Sequence, residues 1–230
     1  MKTIGLIGGM SWESTASYYR AINVEVKVRL GGLHSAKIVL VSVDFAEIAE
    51  YQQAGDWQLA AQLLSTAALS LQAAGADFFI ICTNTMHNVA DTIQGTVDIP
   101  MLHIADATGQ QLRSEGITNV ALLGTKFTMQ QAFYKSRLQD KFAIDVIVPT
   151  ALEQDIIHQV IYDELCLGKI LDESRRQFVK IIESLHRKGA QGVILGCTEI
   201  ALLVQQNHTQ VRLYDTTRIH AQAAVELALS

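Results

Sequence analysis

The chain has 230 residues, of which 49% are hydrophobic and 18% charged, so it can bury a large core and has nothing of a disordered composition. A net charge of −5 excludes the basic footprint of a nucleic-acid or anionic-membrane binder, and no apolar run is long enough to span a bilayer. The opening Met1-Lys2-Thr3-Ile4-Gly5 lacks the apolar stretch of a secretion signal, so a cytoplasmic location is expected.

In chain order, the first buried strand is predicted over Thr3 to Ile7, and Gly8-Gly9-Met10-Ser11 follows it. That loop is neither Gly-x-Gly-x-x-Gly nor a Gly-Lys-Ser/Thr loop, so it reads as a backbone cradle for a carboxylate rather than a nucleotide site. A second strand is predicted over Lys37 to Ser42. The clearest helix runs from Trp57 to Ala74, with Leu59, Leu63, Ala67 and Leu71 recurring at one spacing, Asp56 as cap and Gly75 as terminator. Further strands are predicted over Phe78 to Ile81, Val120 to Leu123, Ile144 to Val148 and Gly192 to Leu195. Strands alternating with helices of this length predict an α/β fold, with parallel sheets covered on both faces.

The order of motifs repeats. Ile4-Gly5-Leu6-Ile7-Gly8 is answered by Val120-Ala121-Leu122-Leu123-Gly124, Asp56 by Asp172, and Gly75-Ala76 by Gly189-Ala190. Ile104-Ala105-Asp106-Ala107-Thr108 is answered by Leu213-Tyr214-Asp215-Thr216-Thr217. Four correspondences in one order at nearly one offset predict two similar three-layer αβα lobes related by a pseudo-twofold, with a ligand cleft between them. The first lobe is expected over 1–105 and the second over 106–211.

The repeat also aligns two reactive positions: Thr83 lies as far beyond Gly75 as Cys197 lies beyond Gly189. Cys82 is one step out of register, and on a strand one step turns a side chain to the opposite face, so Cys82 is expected in the core. Cys166 sits in the helical-looking Tyr162-Asp163-Glu164-Leu165-Cys166 and reads as structural. Three cysteines are an odd number at no metal-ligand spacing, so thiols are expected and no metal centre. Thr83 and Cys197 both fall at the carboxyl end of a strand, where parallel sheets bind ligands. A helix start there favours a carboxylate and a thiolate. A substrate held between the two positions can lose a proton from one face and regain one on the other, which inverts a carbon centre.

With these residues in view, the chain resembles the aspartate/glutamate racemase family. The likeness is carried by Gly5-Leu6-Ile7-Gly8-Gly9-Met10-Ser11 with Tyr18-Tyr19, by Thr83-Asn84-Thr85-Met86-His87, and by Gly196-Cys197-Thr198-Glu199. Gly124-Thr125 with Thr128 and Tyr134 matches the start of the family's second half. The resemblance implies two-base racemisation of an amino acid without pyridoxal phosphate, metal or other cofactor, usually in a homodimer. It also implies a C-terminal segment, taken as 212–230, that packs back on the first lobe. Cys197 and Thr83 are its expected catalytic pair. Met10, Ser11, Gln52, Asn84, Thr85, Thr125, Thr198 and Glu199 are expected around the substrate, with His87 behind them.

Two departures from the family pattern matter. The family's first Cys is Thr83 here, which predicts asymmetric catalysis: Cys197 serves the L face and the hydroxyl face works poorly or through water. Between Arg29 and Arg113 there is no arginine and Lys37 is the only lysine, so a distal substrate carboxylate is weakly held and broader substrates are allowed. The rival readings are a one-thiol decarboxylase or isomerase of the same superfamily and a non-enzymatic amino-acid-binding module.

Overall fold

The computed structural model describes all 230 residues, and the chain divides into two compact units, Met1–Ile104 with His220–Ser230, and Ala105–Ile219. Each is built on a wholly parallel sheet.

In the first unit β1 (Ile4–Gly8) is central, flanked by β2 (Ile38–Ser42) and β3 (Phe78–Ile81). The helices are α1 (Trp12–Leu30), α2 (Phe45–Ala54), α3 (Trp57–Ala73) and the short α4 (Ala90–Gln94). Every residue of β1 is buried because both faces are covered. Ile4, Leu6, Phe78, Ile80 and Cys82 pack with Tyr18, Ile22 and Val26 of α1 and with Ala221, Ala224 and Val225 near the C-terminus. Ile7, Phe79 and Ile81 face the other way, onto Ala60, Leu64, Ala67 and Leu71 of α3. Of the predicted α3 stripe, Ala67 and Leu71 are buried and Leu63 packs against the same cluster, while Leu59 is left 41% exposed. Alanines on the inner face bring this helix close to the sheet: a Cβ on Gly5 would lie 3.0 Å from Leu71 and 3.1 Å from Ala76 and Phe79.

The second unit orders its strands β5-β4-β6-β7, from β4 (Asn119–Leu123), β5 (Asp145–Ile147), β6 (Val193–Leu195) and β7 (Leu213–Asp215). Its helices are α5 (Ile104–Ser114), α6 (Lys126–Gln130), α7 (Ala132–Phe142), α8 (Ala151–Asp163), α9 (Asp172–Arg187) and α10 (Ile200–Leu203); α11 (Thr216–Leu229) begins here and ends in the first unit's C-terminal segment. The strand order repeats that of the first sheet with one strand more. The counterpart of β7 in the first sheet is a single bridge, Phe79 to Met101.

The structure corrects several details. β7 is hydrogen bonded to β6 in the second sheet, so the segment that returns to the first unit begins at His220, not at residue 212. Asp56 caps α3 by accepting from the Leu59 N–H at 3.0 Å, whereas Asp172 lies inside the first turn of α9, after Leu171. Asp106 sits within α5 and is ion-paired to Arg137 and Lys141, while Asp215 ends a strand and accepts from the Thr217 N–H, so these two aspartates are not equivalent. Gly75 (φ 85) and Gly189 (φ 105) do follow matching helices. No helix is long and apolar enough to cross a membrane.

His220 gives this core a measurable acid sensitivity. It is fully buried, and burial lowers its pKa to about 4. An unfolded chain takes up the proton near pH 6.5 while the native one stays neutral, so the stability is complete above about pH 6.5 and drains away as pH falls toward about 4. Across that interval the loss from His220 is about 3 kcal/mol. Urea denaturation midpoints are expected to fall steeply between pH 7 and pH 5, and the slope to be shallower in His220→Gln.

Candidate active site

The sequence positions singled out fall at the carboxyl ends of strands in each unit, and each unit is described on its own. In the first, β1 runs into Gly9, Met10 and Ser11, and β3 runs through Cys82 into Thr83, Asn84 and Thr85. Ser11 caps α1, its hydroxyl accepting from the Ser14 N–H at 3.2 Å. The Ser14 hydroxyl donates to the Cys82 carbonyl at 2.8 Å, which ties the start of α1 to the end of β3. The Thr15 hydroxyl accepts from the Gly9 N–H at 2.7 Å and donates to the Ser11 carbonyl at 2.9 Å, closing the loop on itself. Gly9 has φ 95, and a Cβ there would lie 2.1 Å from the Val43 carbonyl oxygen and 2.7 Å from the Val43 nitrogen. Backbone on backbone cannot give way, so Gly9→Ala is expected to cost more than about 3 kcal/mol, read as a lowered urea midpoint.

After β3 the chain turns through a single 3-10 stretch, Thr85–Val89, before α4. Cys82 is fully buried against the α1 side, and burial pushes its thiol well up, which leaves it unreactive. Thr83, one step on, is partly exposed. Asn84 and Thr85 are buried at the same turn, and the Asn84 carbonyl accepts from the His87 N–H at 3.0 Å. His87 is buried behind Thr83, its Nδ1 2.8 Å from the Thr83 carbonyl. Gln52 on α2 is buried, and its amide donates to the Met86 sulfur at 3.0 Å. Met10 packs into the same apolar cluster as Met86.

In the second unit β4 leads through Gly124 to Thr125, and β6 through Gly196 to Cys197, Thr198 and Glu199. The two strand ends nearly touch: the Gly196 N–H donates to the Leu123 carbonyl at 2.6 Å, and a Cβ on Gly196 would lie 2.8 Å from that oxygen. Thr125 caps α6 by accepting from the Thr128 N–H at 3.3 Å. Cys197 is partly exposed, and its Sγ–H donates to the buried Glu199 carboxylate, with Sγ and Oε2 3.0 Å apart.

That hydrogen bond bears on one expectation. A thiolate stabilised by a helix start was predicted, and the helix after Cys197 is α10, a single turn of four residues. Burial, and then the negative charge of Glu199, raise the Cys197 thiol well above its usual range. One neighbour escaped the sequence reading. Burial first, and then the electrostatic reach of Cys197, Cys166 and Glu199, raise the phenol of Tyr162 on α8. Cys166 is in a 3-10 turn beyond α8 and packs against the same apolar cluster as Cys197. His158 and Tyr162 stand one helical turn apart on α8, with their rings tilted and their centroids 4.7 Å apart.

The chain is similar to several known proteins. Residues 7–224 match the family model described as Asp/Glu/hydantoin racemase. A Yersinia pestis protein provisionally called an Asp/Glu racemase is 55% identical over 100% of both chains, with a TM-score of 0.94. An aspartate racemase homologue from Pyrococcus horikoshii is 34% identical, again over 100% of both chains, with a TM-score of 0.86. The broad specificity amino-acid racemase of Bacillus subtilis is 22% identical over 170 residues, 71% of this chain and 70% of that one.

Proposed function

We propose, from the premise that this chain belongs to the Asp/Glu/hydantoin racemase family, that it interconverts L- and D-amino acids, aspartate and glutamate foremost, with Cys197 as the base and Thr83 opposite. The observation that carries this reading is the Cys197–Glu199 hydrogen bond at 3.0 Å, which gives the thiol its own proton acceptor. The thiol proton passes to the Glu199 carboxylate as the substrate ammonium enters and offsets the negative charge. The thiolate so formed takes the α-hydrogen, and the electron pair of the broken C–H bond moves into the substrate carboxylate. A proton from water beside Thr83, or from its hydroxyl, then forms the new C–H bond on the other face. Asn84, Thr85, Thr125 and Thr198 are the polar groups proposed around the α-carboxylate, with Met10, Ser11 and Gln52 shaping the remaining wall. Neither metal nor organic cofactor enters the scheme. The homodimer implied by the resemblance is part of the proposal.

A Cys197 thiol raised in this way also suits a proton donor, which favours a second reading, a one-thiol decarboxylase that protonates an enediolate. Incubation with L-aspartate and L-glutamate followed by chiral separation, and with an α-substituted malonate followed by trapping of carbon dioxide, decides between them, because only a carbon bearing two carboxylates leaves an enediolate on decarboxylation. Racemisation predicts the D-enantiomer with all carbon retained; release of carbon dioxide would replace it with the second reading.

A further inference from the structure

Behind Thr83 lie three buried histidines that the scheme above does not use: His87, His103 and His220. The rings of His87 and His103 are 4.5 Å apart between centroids, and those of His87 and His220 are 5.9 Å apart. No group of three or more His, Cys, Asp or Glu is placed to hold a metal ion. The reason is visible for two of the rings, whose nitrogens are taken by protein partners. His87 Nδ1 faces the Thr83 carbonyl at 2.8 Å, which only accepts, so Nδ1 carries the proton. His87 Nε2 receives the Ile104 N–H at 3.3 Å, which only donates, so Nε2 carries the lone pair. At His220 the assignment is reversed. Nε2 faces the Leu102 carbonyl at 2.8 Å and must donate, leaving Nδ1 to accept from the Tyr18 hydroxyl at 3.0 Å. A second proton on the His87 ring would break its bond from Ile104, so His87 is locked as a single neutral tautomer. The Tyr18 hydroxyl can also accept, so at His220 the partners fix the proton on Nε2 and complete burial keeps the ring neutral.

The partners share a location. Leu102 and Ile104 stand where the chain leaves the first unit, and His220 where it re-enters. We propose that His87 and His220 are positioning residues, two neutral imidazoles of opposite tautomer that fasten the Thr83 peptide and both chain crossings into one polar core, so that the Thr83 face is placed only while that core is uncharged. This inference rests on the reading of Thr83 above, but it makes claims of its own. Thr83 needs such a device because its turn is followed only by a 3-10 stretch and a five-residue helix, with no long helix to hold it. A displacement of about 1 Å at a reacting face costs on the order of 10²-fold in rate.

The test uses the full chain in two ways. Nitrogen-15 spectra of the imidazoles near neutral pH are expected to show His87 protonated on Nδ1 alone and His220 on Nε2 alone. For turnover, His87→Asn keeps a donor for the Thr83 carbonyl and His87→Phe does not. His87→Phe is expected to lower kcat by about 10- to 100-fold with KM changed less than about threefold, and His87→Asn to recover most of that loss. Circular dichroism at the assay temperature confirms that both variants are folded; if His87→Phe is not, His220→Gln, which keeps the donor to Leu102, against His220→Leu supplies the same contrast. A cationic His87, the opposite tautomer, or equal losses in the donor-keeping and donor-lacking variants would overturn the proposal. If the wild type turns over no amino acid, the functional reading fails by itself. The tautomer spectra, with the carbon-13 shift of the Thr83 carbonyl in His87→Phe, then decide the positioning separately: an unchanged shift overturns it.

Discussion

Cys197→Ser is expected to lower racemisation of L-aspartate and L-glutamate by about 10²- to 10⁴-fold, the range that a positioned general base contributes. The hydroxyl keeps a donor for Glu199 and fills nearly the same space, so melting temperature should stay within a few degrees of wild type. What is lost is acidity. Moving the proton to a neighbouring carboxylate costs about 1.4 kcal/mol for each unit of pKa separating the two groups, and an alcohol is separated from a carboxylate by many more units than a thiol. Cys82→Ser and Cys166→Ser are the matched controls. Cys82 is fully buried on the α1 face of its sheet and Cys166 belongs to the turn after α8, so neither change should approach the effect at Cys197. Chiral separation of the products with each purified variant provides the comparison.

Thr83→Cys should act in the opposite direction. Interconversion is expected to rise by about 10- to 100-fold in kcat/KM, equally from the D- and the L-forms because the enantiomers have the same free energy and the Thr83 face is used in both directions. A cysteine is ionised to a few per cent near neutral pH, and a threonine hydroxyl is not. The backbone at this position is held by the Thr83 carbonyl bond to His87 rather than by the side chain, so the new thiol inherits the same placement. Unchanged D-enantiomer turnover would show that the hydroxyl is not what limits that face.

Much of this was legible in the chain because parallel strands buried on both faces write themselves as short runs of Ile, Val, Leu and Phe. β1, β3 and β6 lie within a residue or two of where those runs stand, and the distance from Gly75 to Thr83 repeats from Gly189 to Cys197 because each counts from a helix end through a strand to its exit. The one-step rule also put Cys82 in the core, where it lies with zero exposure. β7 escaped because it is three residues long and its sequence, Leu-Tyr-Asp, has no apolar run. On α3 the expectation missed only at Leu59, because alanine weighs little in a hydrophobic pattern, and Ala60, Ala61 and Ala68 take part in the buried face. Side-chain direction was out of reach altogether. Gln52 donating to Met86, Glu199 accepting from Cys197 and His87 bonding Thr83 to Ile104 each depend on rotamers that sequence spacing does not fix. The same blindness bears on the thiolate expectation, since a carboxylate two residues away in sequence says nothing of whether it points at the sulfur.

The most direct measurement follows deuterium from heavy water into the α-carbon of L-glutamate, by mass spectrometry of the separated enantiomers. If Cys197 opens the reaction on the L face, Thr83→Ala still washes deuterium into recovered L-glutamate while forming less of the D-enantiomer, and Cys197→Ser leaves the α-hydrogen in place. Exchange that survives in Cys197→Ser and disappears in Thr83→Ala would contradict the assignment of the base.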